Sequence, residues 1–316
     1  RQLTLAAAFR AAGGAVDLVV NAPPEIMGRI TAAGHAVAAA QGDVGSDDPD
    51  SWLLPGLDLA VIDSKEISAD YGARARAHCP LACFEDEVAR DLPCDAIINN
   101  NVWANAADYS PTLGRSLLLG PRFNTVQASY FTLVGTPRHG ILITLGGEDP
   151  LNHTSWLIEH LAALLARLPV HVCIGPAHPD AKAVIRAAER HVPHSVVHLS
   201  PSSLLEPARR CHIALSAGGT TCYELAAAGM AMAVLAVEDH QTRMLRWMCA
   251  SGASLALGRY DTLTEAGACK TLEQLLDVTS VARLSAAAHR LFPAPGVAKI
   301  VDSLMPLALA RAYRRC

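Results

Sequence analysis

Leu215-Ser216-Ala217-Gly218-Gly219-Thr220-Thr221-Cys222-Tyr223-Glu224-Leu225 is the stretch on which the reading turns. The apolar run His212 to Leu215 enters it and has the character of a strand. A helical pattern leaves it, with Tyr223, Leu225 and Ala226 to Ala228 forming a packing face. Two glycines and two threonines lie between, so the segment reads as strand, tight turn and helix start. Glycine lets a ligand come close to the backbone. The first amides of a helix have no internal partner and favour an anion, most simply a diphosphate. Ser216, Gly218, Gly219, Thr220 and Thr221 are the candidate diphosphate contacts, with Thr220 or Thr221 also able to cap the helix. Glu224 follows one turn in. A carboxylate there does not bind phosphate, but it can accept hydrogen bonds from the two hydroxyls of a ribose. The same pattern also occurs as an ordinary strand-to-helix turn.

Composition bounds the answer. The chain has 316 residues, 51% hydrophobic and 18% charged, with a net charge of −4. That is ample material for one large or two medium cores and unlike a disordered chain. Apart from Arg311, Arg314 and Arg315 there is no dense basic run, which argues against a nucleic-acid surface. Nine cysteines are scattered without a CxxC, and the closest pair, Cys79 and Cys83, has no second pair to complete a metal site. Reduced thiols and a cytoplasmic location are expected. No apolar run approaches the length of a membrane span, and no signal peptide is expected.

Taken in order, Arg1 to Gly14 reads as a helix. A doubly wound domain opens with a strand feeding its first helix, so a strand and loop upstream of Arg1 are expected. Strands follow at Asp17 to Asn21, His35 to Ala40, Leu57 to Ile62, Leu81 to Phe84, Asp95 to Ile98 and Leu117 to Gly120. Gln41 to Pro55 reads as a polar loop. Gly135-Thr136-Pro137-Arg138-His139-Gly140 is the best interdomain linker. Alternation restarts after it, with strands at Ile141 to Leu145, Val170 to Ile174, Val196 to Leu199, His212 to Leu215, Met232 to Val237 and Ser254 to Leu257. Leu263 to Arg315 reads as helical, broken at Pro293 to Gly296. The expectation is an α/β chain of two doubly wound, Rossmann-like domains facing across a cleft, with C-terminal helices. The boundaries are 1–134, 140–285 for the nucleotide half, and a helical tail 286–316 packing back on the first domain. Ligands of such sheets lie beyond the carboxyl ends of the strands. This directs attention to Gly146-Gly147-Glu148-Asp149, Ser216 to Thr221 and Glu238-Asp239-His240 in the second half, and to Asp63-Ser64-Lys65, Glu85-Asp86 and Asn99 to Asn101 in the first.

These residues in this order resemble the GT-B nucleotide-sugar fold. More narrowly, they resemble the UDP-sugar hydrolases of pseudaminic acid biosynthesis and the spore-coat polysaccharide proteins related to them. The likeness runs through Val61-Ile62-Asp63, Phe84-Glu85-Asp86, Cys94 to Asn101, Asp108-Tyr109, Leu119-Gly120-Pro121, Phe131, Gly146 to Asp149 and Ser216 to Glu224. The resemblance implies a Gly-x-Gly-His-x-x-Arg signature whose histidine is the base and whose arginine matches Arg1, placing that histidine upstream of Arg1. The chain departs from the pattern at Asp239-His240, where the family has Asn-Gln. It departs again at Glu148 in the glycine turn and at Ser64-Lys65 after Asp63. The sugar or the reaction can therefore differ.

The chemistry needs a stabilised diphosphate leaving group, a base and polar groups on the sugar. His240, Asp239 and Lys65 are the candidate catalytic residues of this chain. Gly147 joins the nucleotide set, and Asp63, Asn99, Asn101 and Asp149 are the candidate sugar contacts. Each has a plainer reading. Asp239 and His240 can cap the next helix, Lys65 can be a solvated loop charge, the asparagines can satisfy a turn, and His153, His160 and His289 can be surface or helix-face residues. The expected function is metal-independent hydrolysis of a nucleotide sugar, releasing an amino or deoxy sugar from UDP or another nucleoside diphosphate without a cofactor. The alternatives are an inverting GT-B glycosyltransferase and a catalytically silent nucleotide-sugar binder. The expected partners are the nucleotide sugar and a further enzyme of a sugar pathway, with no nucleic acid and no membrane span.

Overall fold

The computed structural model describes residues 1–40, 53, 56–64, 66–86, 90, 92–111 and 114–315. The chain forms two compact units, Arg1–Val126 with Pro295–Cys316, and Gln127–Ala294. The division falls at 126/127, not in the glycine-proline stretch 135–140 that the sequence suggests as linker. The reason is hydrogen bonding. The Arg138 guanidinium donates to the carbonyls of Ala208 and Ala228, and the His139 amide donates to Arg210, all within the second unit. The polar stretch 41–52 lies outside the described residues.

In the first unit, helix α1 (Gln2–Ala11) precedes β1 (Leu18–Val20), α2 (Pro24–Ala32) and β2 (Val37–Ala39). Then come β3 (Ala60–Ile62), α3 (Ala69–His78), β4 (Leu81–Phe84), β5 (Ala96–Asn99) and β6 (Ser116–Leu119). β1 and β2 pair as one parallel sheet, and β3-β4-β5-β6 form a second, also parallel. The period-two rule of strands sorts the second sheet's side chains. Ile62, Leu81, Cys83 and Ile97 face α3 through Tyr71 and Ala75. Ala82, Phe84, Ala96 and Ile98 face α1 through Leu5, and the C-terminal helix Val297–Arg315 through Ile300, Val301 and Leu304. The C-terminal helix therefore belongs to the first unit's core.

In the second unit, α4 (Ala128–Phe131) leads to β7 (Ile141–Thr144), α5 (His153–His160), α6 (Ala162–Leu165), β8 (Val170–Ile174), α7 (Ala181–His191) and β9 (Val196–Leu199). Next are α8 (Leu205–Arg210), β10 (Ile213–Ala217), α9 (Thr221–Ala227), β11 (Ala231–Ala236), α10 (Thr242–Ala250), β12 (Ser254–Arg259), α11 (Glu265–Leu276) and α12 (Val278–Leu291). All six strands are parallel, in the order β12-β11-β10-β7-β8-β9. β7, β8, β10 and β11 are buried along their whole length, as strands covered on both faces must be. The helices start where side chains can take up loose amides. Asp180 caps α7, Thr264 caps α11 and Asp277 caps α12. The sequence reads the last two as one run, and Asp277 is where it breaks.

Gly296 fixes how the C-terminal helix enters the first unit. A Cβ there would lie 2.3 Å from the Asn124 amide nitrogen and 2.7 Å from the Arg122 carbonyl oxygen, both backbone. Neither neighbour can swing away as a flexible side chain would. Gly296→Ala is expected to destabilise the chain by about 2–3 kcal/mol through overpacking, read as a lower urea midpoint with the slope retained.

Candidate functional site

The carboxyl ends of the second unit's strands carry the residues singled out above. At the end of β10 the turn does not use its glycines as expected. The Gly218 amide donates to the Leu235 carbonyl at 3.0 Å and to Gln241 Oε1 at 3.1 Å, and the Gly219 amide donates to the Ala217 carbonyl at 2.9 Å. A Cβ on Gly218 would sit 2.8 Å from the Gln241 carbonyl oxygen, whereas one on Gly219 meets nothing within 4 Å. Gly218 is glycine because Gln241, just ahead of α10, presses on it, whereas Gly219 has open space beside it. Ser216 is fully buried and donates its hydroxyl to the Ala217 carbonyl at 3.2 Å, so its side chain faces the interior. Thr220 is exposed and makes no capping bond, because it has helical rather than extended dihedrals. Among the described residues, the amides of Thr220 and Thr221 meet no backbone acceptor outside regular elements and no side-chain acceptor. These two amides, with their hydroxyls, are the donors the turn offers.

Gln241 is the residue that sequence reading passed over as the first residue of a helix. Its Oε1 accepts from Gly218 at 3.1 Å and from Val237 at 3.2 Å, tying the ends of β10 and β11 together. The available signal was its place two residues after Asp239, at the end of a buried strand.

Glu224 lies on α9, half-buried, beside the Tyr130 hydroxyl. Tyr130 in turn lies 3.3 Å from Ser203 Oγ. Burial raises the Glu224 carboxyl above its ordinary value, with the Tyr130 hydroxyl opposing the rise. Burial, with the Glu224 charge beside it, pushes Tyr130 up to about 12. A carboxylate short of solvent partners is one that gains from new donors.

After β11, Asp239 and His240 are solvent-facing. Asp239 accepts from Arg259 at 2.9 Å and from the Tyr260 hydroxyl at 3.4 Å. His240 Nδ1 lies 3.1 Å from Glu238 Oε2, with the imidazole 71% exposed. Arg259 and Tyr260, at the end of β12, are further residues of this rim that sequence reading did not select.

Asp149, a candidate sugar contact, turns inward. It is 2% exposed, and its carboxylate accepts from the His153 amide at 2.9 Å, the Thr154 amide at 2.8 Å and the Thr154 hydroxyl at 2.6 Å. Burial acts to raise its carboxyl, but those bonds prevail and hold it below the carboxylate range. His178 Nε2 lies 3.5 Å from it, and His153, expected on a surface or helix face, is buried beside it. Asp149 thus fixes the start of α5 and the glycine turn above it. In that turn Gly147 offers its carbonyl to Ala177 at 3.0 Å, and no heavy atom lies within 4 Å of where its Cβ would be.

In the first unit the polar residues also turn to one another. Asp63 accepts from Arg1 Nε and from Gln2, each at 2.7 Å, and Arg1 also donates to Asp86 at 2.6 Å. Burial would raise Asp63, but the guanidinium of Arg1 holds it below the carboxylate range. Asn99 and Asn101 are buried, not open to a sugar. Asn99 donates to the Tyr109 hydroxyl at 2.9 Å and accepts from Asn101, which donates to the Asp86 carbonyl at 2.8 Å. Lys65 lies outside the described residues. Among the described residues, no group of three or more His, Cys, Asp or Glu is placed to hold a metal ion, and no helix is long and apolar enough to cross a membrane.

No protein-family model matches the chain. It is 25% identical over 203 residues to the UDP-N-acetylglucosamine--N-acetylmuramyl-(pentapeptide) pyrophosphoryl-undecaprenol N-acetylglucosamine transferase of Stutzerimonas stutzeri, an alignment covering 58% of this chain and 55% of that protein. Among solved structures, the spinosyn forosaminyltransferase SpnP superposes over 97% of this chain and 95% of its own, with TM-score 0.66 and 17% identity. The spinosyn rhamnosyltransferase SpnG in complex with thymidine diphosphate covers 96% and 95%, with TM-score 0.60 and 16% identity. The chain has the two-domain α/β fold of GT-B glycosyltransferases. The narrower likeness to pseudaminic acid pathway hydrolases draws no support from these relatives, which are named as transferases.

Two outcomes follow from this geometry. Gly218→Ala is expected to cost about 1–3 kcal/mol, and Gly219→Ala within about 1 kcal/mol, compared by urea unfolding. Asp149→Asn is expected to cost about 2–4 kcal/mol at neutral pH, since an amide cannot accept from all three donors. With its folded value depressed, Asp149 contributes stability above the ordinary carboxylate value, and that contribution is lost as pH falls through the depressed value. The variant's unfolding free energy should lack that acid-side slope.

Proposed function

We propose that the chain is a glycosyltransferase that takes its sugar from a pyrimidine nucleoside diphosphate, with the diphosphate at the Gly219-Thr220-Thr221 turn and the ribose on Glu224. The observation that carries the reading is the pairing of two open amides with a half-buried carboxylate one turn later on a GT-B fold. Hydrogen-bond donors at a helix start stabilise the charge that develops on a leaving diphosphate. The Glu224 carboxylate accepts only, and ribose hydroxyls would replace the solvent it has lost. The nucleobase class follows the relatives, one named for UDP-N-acetylglucosamine and one complexed with thymidine diphosphate.

In the reaction, an acceptor hydroxyl oxygen forms a bond to the anomeric carbon as the bond from that carbon to the β-phosphate oxygen breaks. The acceptor proton passes to a base, and the nucleoside diphosphate leaves with the electron pair. One displacement inverts the anomeric centre. His240, an exposed imidazole beside Glu238, is the base or diphosphate partner assigned within the second unit. Water in place of the acceptor would give the hydrolysis that the sequence motifs suggest, so the acceptor decides between the two readings.

Glu224→Gln is expected to weaken UDP or TDP binding about tenfold, or about 1.4 kcal/mol, measured by titration calorimetry. Wild-type affinity should rise with pH as the raised carboxyl ionises, and the variant's should stay flat. The apo protein has the opposite trend, because the stability that goes with a raised acid is present below its ordinary value and lost as pH climbs through the folded one. With UDP- and TDP-sugars, release of the diphosphate only on addition of an acceptor alcohol supports transfer. Release without acceptor replaces it with hydrolysis. Unchanged affinity of the Gln variant removes Glu224 from the site.

A further inference from the structure

β9 is an edge strand of the second unit's sheet and pairs only with β8. No position of it is buried, and Val196 and Leu199 are 47% and 61% exposed. Apolar burial therefore contributes little to holding it, and its polar contacts to β8 carry more of the attachment.

One of those contacts joins two histidines. His171 of β8 is in register with Val196, so His171 and His198 share a face of the sheet. His171 Nδ1 lies 3.0 Å from His198 Nε2. The ring centroids are 5.3 Å apart and the ring planes differ by 15°. That centroid separation equals the nitrogen–nitrogen distance with one ring radius added at each end. The two nitrogens therefore lie on the line between the rings, edge facing edge. Metal ligands converge at an angle on a third atom. Nitrogens opposed along one line at this distance share a single hydrogen instead.

Counting protons shows what the contact tolerates. Each neutral imidazole has one N–H and one lone pair. One ring donates into the contact and the other accepts. A first added proton can go to the far nitrogen of the donating ring and leave the contact whole. A second finds only the lone pair inside the contact. Taking it sets two N–H groups and two positive charges face to face.

The surroundings act in the same direction. Burial holds both rings below the ordinary histidine value, and the charges of His198 and Arg210 oppose a proton on His171 as well. Arg210 ends α8. Cys173, in register with His198, is pushed up to about 12 by burial, with Cys211 adding to the rise, and stays a neutral thiol. α7 packs on the other face of the sheet, through Val184, Ala187 and Ala188 in the cluster that Val197 joins. β9 runs directly into a turn where Ser200 has φ 47°. There Ser203 Oγ accepts from the Leu205 amide at 3.1 Å and lies 3.3 Å from the Tyr130 hydroxyl, which stands beside Glu224.

We propose that His171 and His198 form a proton-operated clasp, which holds β9 on the sheet with one added proton or none and splits on the second, freeing β9 and the turn 200–203 while the rest of the sheet stays folded. The depressed folded values set the direction. The clasp contributes fully above the ordinary histidine value and is lost as pH falls through the folded ones. Any effect carried from this turn through Tyr130 to Glu224 rests on the functional reading, whereas the clasp itself does not.

The test is backbone hydrogen exchange of the full chain between about pH 7.5 and about pH 4.5, corrected for the intrinsic pH dependence of exchange. Protection of 196–203 is expected to drop about tenfold or more on acidification, with protection of Ile213–Ala217 retained. In the His171→Gln/His198→Gln double variant the protection of 196–203 should be flat over the same range, whatever its starting level. Nitrogen-15 spectra of the wild-type histidines need no variant and should show two titration steps, separated by more than about one pH unit. Both rings titrating together at the ordinary value overturns the proposal, as does a wild-type segment that keeps its protection in acid. An equal drop in the double variant, or loss of protection in 213–217 at the same pH, also overturns it. Every measurement is made without nucleotide, so the outcome is independent of where a nucleotide binds.

Discussion

One side-chain oxygen organises the second unit's upper rim. Gln241 Oε1 takes the amide hydrogen of Val237 and shares that of Gly218 with the Leu235 carbonyl, just past the ends of adjacent parallel strands. A buried amide without an acceptor costs of the order of 1–3 kcal/mol, so one side-chain carbonyl that serves Val237 and also reaches Gly218 ties the β10 and β11 turns together. To reach both, α10 must start against the first of those turns. That closeness leaves no room for a side chain on Gly218. The donors left without an acceptor among the described residues, those of Thr220 and Thr221, follow directly after this tied-down turn.

The same economy governs the polar residues that look like ligands in the sequence. Asp149, Asn99 and Asn101 all follow strands, where ligands of parallel sheets bind, and all three are buried with their hydrogen-bonding capacity spent internally. Strand ends also leave backbone groups that need partners, and short polar side chains are the nearest source. A residue type at a strand end therefore marks the rim without saying which way the side chain turns. Asp149 has three donors from the start of α5 within 3 Å.

Much of the architecture was legible because buried parallel strands are continuous apolar runs. Val170–Ile174, Leu81–Phe84 and Val196–Leu199 coincide with their runs to the residue. The unit boundary was not legible, because Gly135 to Gly140 has the composition of a linker while Arg138 and His139 pin it to α8 and α9. The glycine turn and Glu224 could be read from spacing. Gln241, Tyr130 and Arg259 could not, since each has a partner 20 residues or more away that the sequence does not name.

The two units differ in how completely their sheets are closed, and the difference has a thermodynamic reading. In the second unit the six-stranded sheet keeps its exposed apolar residues to an edge, at Val196 and Leu199 of β9. In the first, half-buried apolar residues sit on β1 and β3, whose free edges line one cavity. Each apolar side chain left out of a core forgoes roughly 1.5–3 kcal/mol, and each unpaired edge leaves its backbone to water. α1 is still held in place by Arg1 and Gln2 on Asp63 and by Leu5 against the sheet.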